Sequence, residues 1–338
     1  MSDTFKNVNP RRLCQGGFLL FTLWIGWRFA LWARPLLEGE IPQATRPAAV
    51  DAFLPLSGLL NLKYALISGT IHEAHPAALL IFLAVCASAL LVKKGFCSFV
   101  CPVGFAGEMV GKLGEKVGLS RRLTRVLDLP LRSIKYLLLA FFLWNIVLKM
   151  PGFAVGKFLS SGYNLTADIR MFLFFITPSK GALLTFAALF VLPFFIKGGW
   201  CRYFCPYGAL LGLLSVLSPF KIHRNETACT ACGKCRKVCP SSISVDKKHA
   251  IFSDECTGCL TCVSACPSPE ALRLSTSSKG PKLKMGIVAL LMVLLFVFTS
   301  MAGRLSGNWE SQIRPRSLIM QVMMKMEKKG MTSAGGRS

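Results

Sequence analysis

Eight of the fourteen cysteines form one repeated pattern in the last third of the chain. Each half reads C-x2-C-x2-C-x3-C-P, so that three closely spaced thiols are followed by a fourth before a proline. Four thiolates that converge on one centre hold either an iron–sulfur cubane or a zinc ion, and zinc motifs rarely repeat this spacing twice. The pattern therefore predicts two [4Fe–4S] clusters and a chain that transfers electrons. Its cysteines are Cys229, Cys232, Cys235 and Cys239, then Cys256, Cys259, Cys262 and Cys266.

The order of these cysteines resembles that of bacterial two-cluster ferredoxins. In such a module the fourth cysteine of each half binds the cluster of the other half. We therefore expect the first cluster to be bound by Cys229, Cys232, Cys235 and Cys266. The second cluster would be bound by Cys256, Cys259, Cys262 and Cys239.

Long apolar segments exclude a soluble ferredoxin. Apolar residues make up 53% of the chain, and five runs approach the roughly 20 residues that cross a bilayer. These predicted spans are Gly16–Ala33, Pro76–Val92, Ile134–Met150, Met171–Ile196 and Met285–Ala302. The fourth is interrupted at Pro178. Residues 53–71 are also apolar, but Pro55, Asn61 and Lys63 interrupt them, which favours an outer interfacial or re-entrant segment.

The net charge of +24 indicates membrane topology here and does not indicate nucleic-acid binding. Lysine and arginine are concentrated in residues 93–132 and in the ferredoxin segment, and such an excess marks the cytoplasmic side or a contact with anionic lipid. The pair Arg11-Arg12 indicates a positive-inside anchor more than a twin-arginine signal. The basic tail, which contains Arg314, Lys329 and Arg337, conflicts with a five-span order because that order places it outside.

The chain also contains an internal repeat. Residues 93–104 (KKGFCSFVCPVG) match residues 197–208 (KGGWCRYFCPYG), and each copy ends an apolar run. The first four spans thus form two repeated helix pairs, which would bring Cys97, Cys101, Cys201 and Cys205 together at the inner membrane face. Spacing of i and i+4 predicts that both sulfurs of a pair share one helix face. These thiols could form a third metal or cluster site, bind copper(I), act as dithiols or be structural.

The resulting fold class is an α-helical integral membrane protein with about five spans and a cytoplasmic dicluster ferredoxin module of α+β type. We expect a four-span membrane domain with two C-x3-C-P motifs over residues 1–218. The ferredoxin domain would occupy residues 219–275. A fifth span and a short basic tail would occupy residues 276–338.

The start Arg12-Leu13-Cys14-Gln15, the two C-x3-C-P motifs and the dicluster module resemble the NapH-type family of membrane-bound 4Fe–4S ferredoxin-type proteins. Accessory proteins of nitrous oxide reductase and cytochrome oxidase are similar relatives. The resemblance implies a multi-pass protein of the bacterial inner membrane that passes electrons between quinone and a partner redox protein. The fifth apolar run departs from the four-span NapH pattern.

Missing motifs narrow the function further. The chain has no C-x-x-C-H haem attachment and no G-x-G-x-x-G after a strand pattern, so quinol is the expected donor or acceptor by elimination. The alternatives are a copper-reducing or metalloenzyme-assembly accessory protein and a redox-sensing scaffold, and a role as a quinol dehydrogenase subunit stays open. Catalytic residues and the oligomeric state are not identified. His72 and His75 are expected to be solvated at the interface, with proton release from quinol as the alternative.

Overall fold

The computed structural model describes residues 9–121, 123–278, 280–313 and 315–328. Three residues of the predicted basic tail, Arg314, Lys329 and Arg337, lie outside this described part. The α-helices are α1 (Pro10–Glu38), α2 (Pro55–Ser68), α3 (Pro76–Val92), α4 (Gly95–Phe99), α5 (Pro102–Lys116), α6 (Arg125–Leu143), α7 (Gly152–Leu159), α8 (Gly162–Leu165), α9 (Ala167–Ile176), α10 (Lys180–Phe195), α11 (Gly199–Tyr203), α12 (Pro206–Leu217), α13 (Lys234–Lys237), α14 (Thr261–Ser264), α15 (Met285–Leu305) and α16 (Pro315–Lys328). The strands are β1 (Lys221–Arg224) and β2 (Leu272–Ser275), and the short helices are the 3₁₀ segments Ala48–Phe53 and Val245–Lys247 and the π-helix Trp144–Lys149.

Among the described residues, three helices are long and apolar enough to cross a membrane. They are α1, the continuous helix Val126–Lys149 and α15, and the pair α9–α10 makes a fourth if it counts as one span. Helix α3 is apolar but has only 17 residues, and α12 has 12. The described chain is therefore a mostly helical protein with about three or four candidate spans. The count of five stays a prediction.

The predicted break in the fourth apolar run is confirmed. Helices α9 and α10 are bent by 78° at a short interruption, where Pro178 lies between Thr177 and Ser179. A proline lacks an N–H donor and disfavours a helical conformation in the residue before it. These two effects end α9 at Ile176.

The chain forms two compact units, and the first contains the cysteine motifs. Within the described residues it is drawn from Met1–Phe21, Leu83–Asn145 and Gly181–Phe298. Strands β1 and β2 pair antiparallel, and Ile222 lies opposite Leu274. Both side chains are buried in an apolar core that the ferredoxin segment shares with helices α3, α4 and α15, through Val92, Phe99, Val288 and Met292. Apolar burial therefore fixes the ferredoxin module to the helix ends of this unit.

The second unit comprises Thr22–Phe82, Ile146–Lys180 and, where described, Thr299–Ser338. It contains α2, the helix that occupies the apolar segment predicted to be interfacial or re-entrant. Lys63 on α2 donates hydrogen bonds to the carbonyl oxygens of Ile146 and Val147, each at 2.8 Å. Helix α2 also packs closely on α3, because a Cβ at Gly58 would lie 2.7 Å from the carbonyl oxygen of Ala78. These contacts explain how the interrupted segment still forms an ordered helix.

A buried ionic network holds the second unit together, and it contradicts the prediction that His75 is solvated. Arg46 donates to Asp168 at 2.7 Å and also pairs with Asp51, whose carboxylate faces His75 Nδ1 at 3.1 Å. The other imidazole nitrogen, Nε2, lies 2.9 Å from the carbonyl oxygen of Asn164. Burial would lower the pKa of His75, but the Asp51 carboxylate outweighs this effect and raises it. The polar partners of His75 come from distant segments of the chain, which allows the imidazole to be buried. His75 is only 2% exposed.

Replacing one carboxylate of this network should destabilise the protein strongly. We expect Asp168→Asn to lower the free energy of unfolding by about 3–5 kcal/mol, because it leaves the buried Arg46 undercompensated. The control is Glu226→Gln, which removes an exposed partner of Arg224 and should cost less than about 1 kcal/mol. Thermal unfolding in detergent measures both variants. Equal losses would show that the network contributes no more than a surface ion pair.

Candidate functional site

The second cysteine group, Cys239, Cys256, Cys259 and Cys262, lines a single cavity. All four residues are buried, and the rest of the wall is largely apolar. Cys262 is close enough to the other three for their thiolates to repel one another. Burial raises the pKa of the Cys256 thiol to about 11, although a hydrogen bond from the backbone N–H of Gly258 lowers it. An apolar cavity ringed by four thiols fits a cubane, whose ligands converge from four directions.

The first cysteine group, Cys229, Cys232, Cys235 and Cys266, is nearer the surface. Cys235 interacts electrostatically with Cys266 and Cys229. Cys232 is exposed, and the backbone N–H of Lys234 lowers the pKa of its thiol. Cys262 of the second group also interacts electrostatically with Cys235, so the two groups are neighbours. The structure thus brings together all four cysteines of the second group, and Cys229, Cys235 and Cys266 of the first.

Each C-x3-C-P motif forms a turn between two helices, and the prediction that both sulfurs share one helix face is wrong. Cys97 lies in α4, whereas Cys101 is the N-cap of α5. The second copy repeats this arrangement, with Cys201 in α11 and Cys205 as the N-cap of α12. The proline after the second cysteine explains the break, because proline favours the first position of a new helix.

Glycine completes each turn, three residues after the capping cysteine. The N–H of Gly104 donates to Cys101 Sγ at 3.5 Å, and the N–H of Gly208 donates to Cys205 Sγ at 3.2 Å. A Cβ at Gly104 would overlap the carbonyl oxygen of Cys97. The motif is therefore C-x3-C-P-x-G, in which the sulfur caps the helix and glycine permits the close approach. We name residues 93–104 the first cysteine turn and residues 197–208 the second.

The two cysteine turns bring their four thiols within electrostatic range. Cys97 interacts with Cys101 and Cys205, and Cys201 interacts with the other three. Burial raises the pKa of Cys97 to about 12, while the ammonium of Lys94 lowers it. The predicted convergence of the repeat is thus present. In the described part of the chain, no three His, Cys, Asp or Glu side chains are arranged so that they could hold a single metal ion. A metal site at these thiols therefore stays a prediction.

The first cysteine turn packs on the segment around Cys256. The backbone N–H of Lys94 lies 3.4 Å from the carbonyl oxygen of Cys256, and Ser98 Oγ donates to the carbonyl oxygen of Thr257 at 2.8 Å. Lys94 Nζ also lies 3.2 Å from Glu255 Oε2. This turn therefore contacts both neighbours of a cysteine in the second group.

The second cysteine turn packs on the segment around Cys239. Arg202 donates to the carbonyl oxygen of Ser241 and is held by Asp128, whose carboxylate it contacts at two points of 2.8 Å. Lys197 Nζ lies 3.5 Å from the carbonyl oxygen of Lys237. Both cysteine turns thus contact residues that flank the second cysteine group.

A buried ionic cluster beside Cys256 was missed by sequence reasoning. Glu255 pairs with Lys94, Lys135 and Arg132. Burial would raise its pKa, but the charges of Lys94 and Lys135 outweigh that effect and lower it to about 2. The sequence shows two lysines before the first C-x3-C-P motif. It does not show that one of them, Lys94, pairs with an acidic residue 161 positions away.

The N-terminal arginine pair also has a structural role that charge counting did not show. Arg11 is 5% exposed, and its Nε donates to the carbonyl oxygen of Ser98 at 3.0 Å. Gln15 donates to the same oxygen at 2.9 Å. Arg11 and Arg12 both pair with Glu108 of α5. The pair therefore holds the start of α1 against the first cysteine turn.

Family models describe both kinds of cysteine motif. A model described as a 4Fe–4S binding domain matches residues 74–120 and again 181–225, so the two copies of the repeat match the same model. A model described as a 4Fe–4S dicluster domain matches residues 221–267. With the apolar helices, these matches define the chain as a membrane protein of the iron–sulfur electron-transfer class.

Curated relatives refine this class. The chain is 44% identical over 239 residues to YccM of Escherichia coli (strain K12), which is provisionally named an electron transport protein. The match covers 70% of this chain and 67% of that protein. It is 27% identical to the ferredoxin-type protein NapH of the same organism, over 68% of this chain and 73% of NapH. The methylamine utilization ferredoxin-type protein MauN of Paracoccus denitrificans is 29% identical over 45% of this chain and 50% of its own length. No solved structure matches the chain. The chain belongs to the NapH-type family of 4Fe–4S ferredoxin-type proteins.

The two glycines of the cysteine turns should differ in their tolerance of a methyl group. Gly104→Ala should cost about 1–3 kcal/mol through overpacking, because the new Cβ overlaps the Cys97 carbonyl oxygen. Gly208→Ala is the matched control, since its Cβ would lie 3.4 Å from the Cys201 carbonyl oxygen, an ordinary contact. The rate at which a maleimide labels the turn cysteines in membranes reports opening. Faster labelling only in Gly104→Ala is expected, and equal rates would contradict the geometry.

Proposed function

We propose that this chain exchanges electrons between the quinone pool of the bacterial inner membrane and a partner redox protein. One-electron transfer is the chemistry that two [4Fe–4S] clusters would supply when bound to the two cysteine groups. The observation that carries the proposal is the packing of both cysteine turns on residues flanking Cys239 and Cys256. Each turn follows an apolar helix, α3 or α10. Together they give a direct connection between apolar helices and the second cysteine group.

The contacts of the first unit suggest an order for the redox groups. The two cysteine turns directly follow the apolar helices α3 and α10, and the hydrogen bond between Lys94 N–H and the Cys256 carbonyl links the first turn to the second cysteine group. The second group senses Cys235 of the first group. In this order the first group is the terminal one.

The terminal position of the first group indicates where a partner binds. Cys232 is exposed, and so are Lys234, two residues away, and Lys247 and Lys248 further along the ferredoxin segment. A cluster close to the surface shortens the path to a partner, and positive charge accelerates association with a negatively charged surface. We therefore propose that the redox partner binds here through an acidic face.

Quinone is proposed from the class of protein and from the chain's missing motifs. The sequence carries no haem-attachment or dinucleotide motif, and its helices include about three or four candidate spans. The relatives YccM and NapH carry names that refer to electron transport and to ferredoxin-type proteins. The excess of lysine and arginine favours a cytoplasmic position for the ferredoxin module and a contact with anionic lipid.

Anaerobically purified protein should contain two clusters with separable ligand sets. After reduction, electron paramagnetic resonance should show two interacting [4Fe–4S] signals, and about eight irons should be bound per chain. Cys235→Ala should remove one signal, because it deletes a ligand of the first group, while the protein still inserts into membranes. A zinc-only or metal-free preparation would contradict the proposal.

The physiological direction is tested with membranes that contain the protein. Quinol-dependent reduction of an added acceptor is the expected result, and it should be lost in Cys235→Ala. A preparation that binds copper stoichiometrically, and loses it in a Cys101→Ser/Cys205→Ser double variant, would favour the copper-reducing or assembly function instead. Bound clusters without quinol-dependent turnover would favour a redox-sensing scaffold.

The four thiols of the cysteine turns should act as one unit. Single serine substitutions at Cys97 and Cys201 should each lower quinol-dependent electron transfer by a similar factor, and the double variant should lose little more, because residues that act together are not additive. Both cluster signals should persist in all three variants. Losses that multiply would indicate two independent structural turns.

A further inference from the structure

Lys93 is a fully buried lysine whose ammonium has no hydrogen-bond partner among the residues that the structure describes. Its side chain is 0% exposed, and Nζ is unpartnered. Burial of an unpaired charge is costly, and a buried ammonium is normally paired with an anion. A negative charge is therefore expected next to Lys93.

The two carboxylates near this lysine are engaged elsewhere. Asp254 accepts hydrogen bonds from Arg132 at 3.2 and 3.3 Å and another from Tyr136. Glu255 pairs with Lys135 and with two other cations. Lys93 therefore differs from its neighbouring lysines, each of which has a carboxylate partner or a carbonyl acceptor.

The negative group that interacts most strongly with Lys93 is Cys256, a ligand of the second cluster in the proposed function. Burial lowers the pKa of the Lys93 ammonium, and attraction to the Cys256 thiolate opposes that lowering. Lys94 and Lys221 add positive charge to the same side, and Asp254 adds negative charge. The surroundings of Lys93 thus leave the second cysteine group as its counter-ion.

The backbone is built to place Lys93 at this position. Lys93 has a φ of 54°, an unusual value for a residue with a side chain, and its N–H donates to Ser218 Oγ at 3.3 Å. Gly258 lies in the loop between Cys256 and Cys259. A Cβ there would lie 2.9 Å from the carbonyl oxygen of Val92 and 3.3 Å from the Cβ of Lys93.

The first ferredoxin motif shows that this glycine serves the approach of Lys93. Its equivalent position is Ala231, which has a φ of 52°, while Gly258 has a φ of 63°. Alanine thus occupies the same left-handed conformation in one loop. Glycine at 258 is needed because the chain around Lys93 packs against it, a contact that makes the two cysteine groups unequal.

We propose that Lys93 is the buried counter-charge of the second cluster and raises its reduction potential. A cubane with four thiolates is an anion whose negative charge grows by one when it accepts an electron. A fixed positive charge in a low-dielectric interior stabilises that reduced form more than the oxidised form. Lys93 therefore makes the second cluster a better electron acceptor than its cysteines alone would. This inference rests on the proposed binding of two clusters.

The test is a redox titration of the purified, full-length holoprotein followed by electron paramagnetic resonance. Lys93→Met keeps the length and apolar stem of the side chain but removes its charge. It should lower the equilibrium constant for one-electron reduction of one cluster by about tenfold or more, which is about 59 mV or more for a one-electron couple. The midpoint potential of the other cluster should stay unchanged.

Two variants separate charge from shape. Lys197→Met changes the equivalent lysine of the repeat, which pairs with Glu115, and it should shift the same potential far less. Lys93→Arg keeps the charge and should keep the potential within about threefold of the original equilibrium constant. If Lys93→Arg shifts the potential as far as Lys93→Met does, the shape of the side chain and not its charge sets the potential, and the inference is overturned.

The outcomes distinguish this inference from the proposed function. An original protein without cluster signals contradicts the proposed function itself. Two intact signals with unmoved potentials in Lys93→Met contradict only the role of Lys93. Equal shifts in Lys93→Met and Lys197→Met would also overturn it, because they would indicate a general effect of net charge.

Discussion

The helix cap that each C-x3-C-P-x-G turn makes with its own cysteine is the contact on which the first unit depends. The sulfur accepts an N–H from the glycine, proline starts the new helix, and the preceding cysteine is held beside the cap. The two cysteine turns follow α3 and α10 and carry polar side chains that contact the ferredoxin module. Ser98 donates to the backbone carbonyl of Thr257, and Arg202 donates to that of Ser241. Arg11 of α1 donates to the carbonyl oxygen of Ser98 and to the hydroxyl of Thr261. The cysteine turns therefore join apolar helices to the ferredoxin module.

This attachment makes the two cysteine groups unequal. The second group is buried among apolar side chains, and both cysteine turns pack on residues that flank it. Its Cys256 interacts electrostatically with the ammonium of Lys93. The first group includes the exposed Cys232. Burial and nearby charge both tune the potential of an iron–sulfur cluster. Two motifs of identical spacing thus acquire different environments from the rest of the chain, which suits the proposed transfer of electrons in one order.

Local sequence patterns predicted the parts of the site that depend on spacing. The cysteine spacing and the repeat grouped Cys97 with Cys201, and Pro178 marked the bend, because these signals act over a few residues. Pro102 is a further local signal, because proline favours the start of a helix and so marks Cys101 as its cap. The buried partners of His75 and Glu255 were not predictable in this way. They come from segments up to 161 residues apart, and a single sequence does not show which distant charges meet.

The central claim is that electrons from the membrane side reach the second cysteine group before the first. Rapid mixing with a reduced quinol analogue, followed by freeze-quench electron paramagnetic resonance, measures this order in two variants. In Cys229→Ser, which deletes a proposed ligand of the first cluster, the remaining cluster should be reduced at the original rate. In Cys259→Ser, which deletes a proposed ligand of the second cluster, reduction of the remaining cluster should be slower by at least a factor of ten. Equal rates in the two variants would contradict the order that the cysteine turns imply.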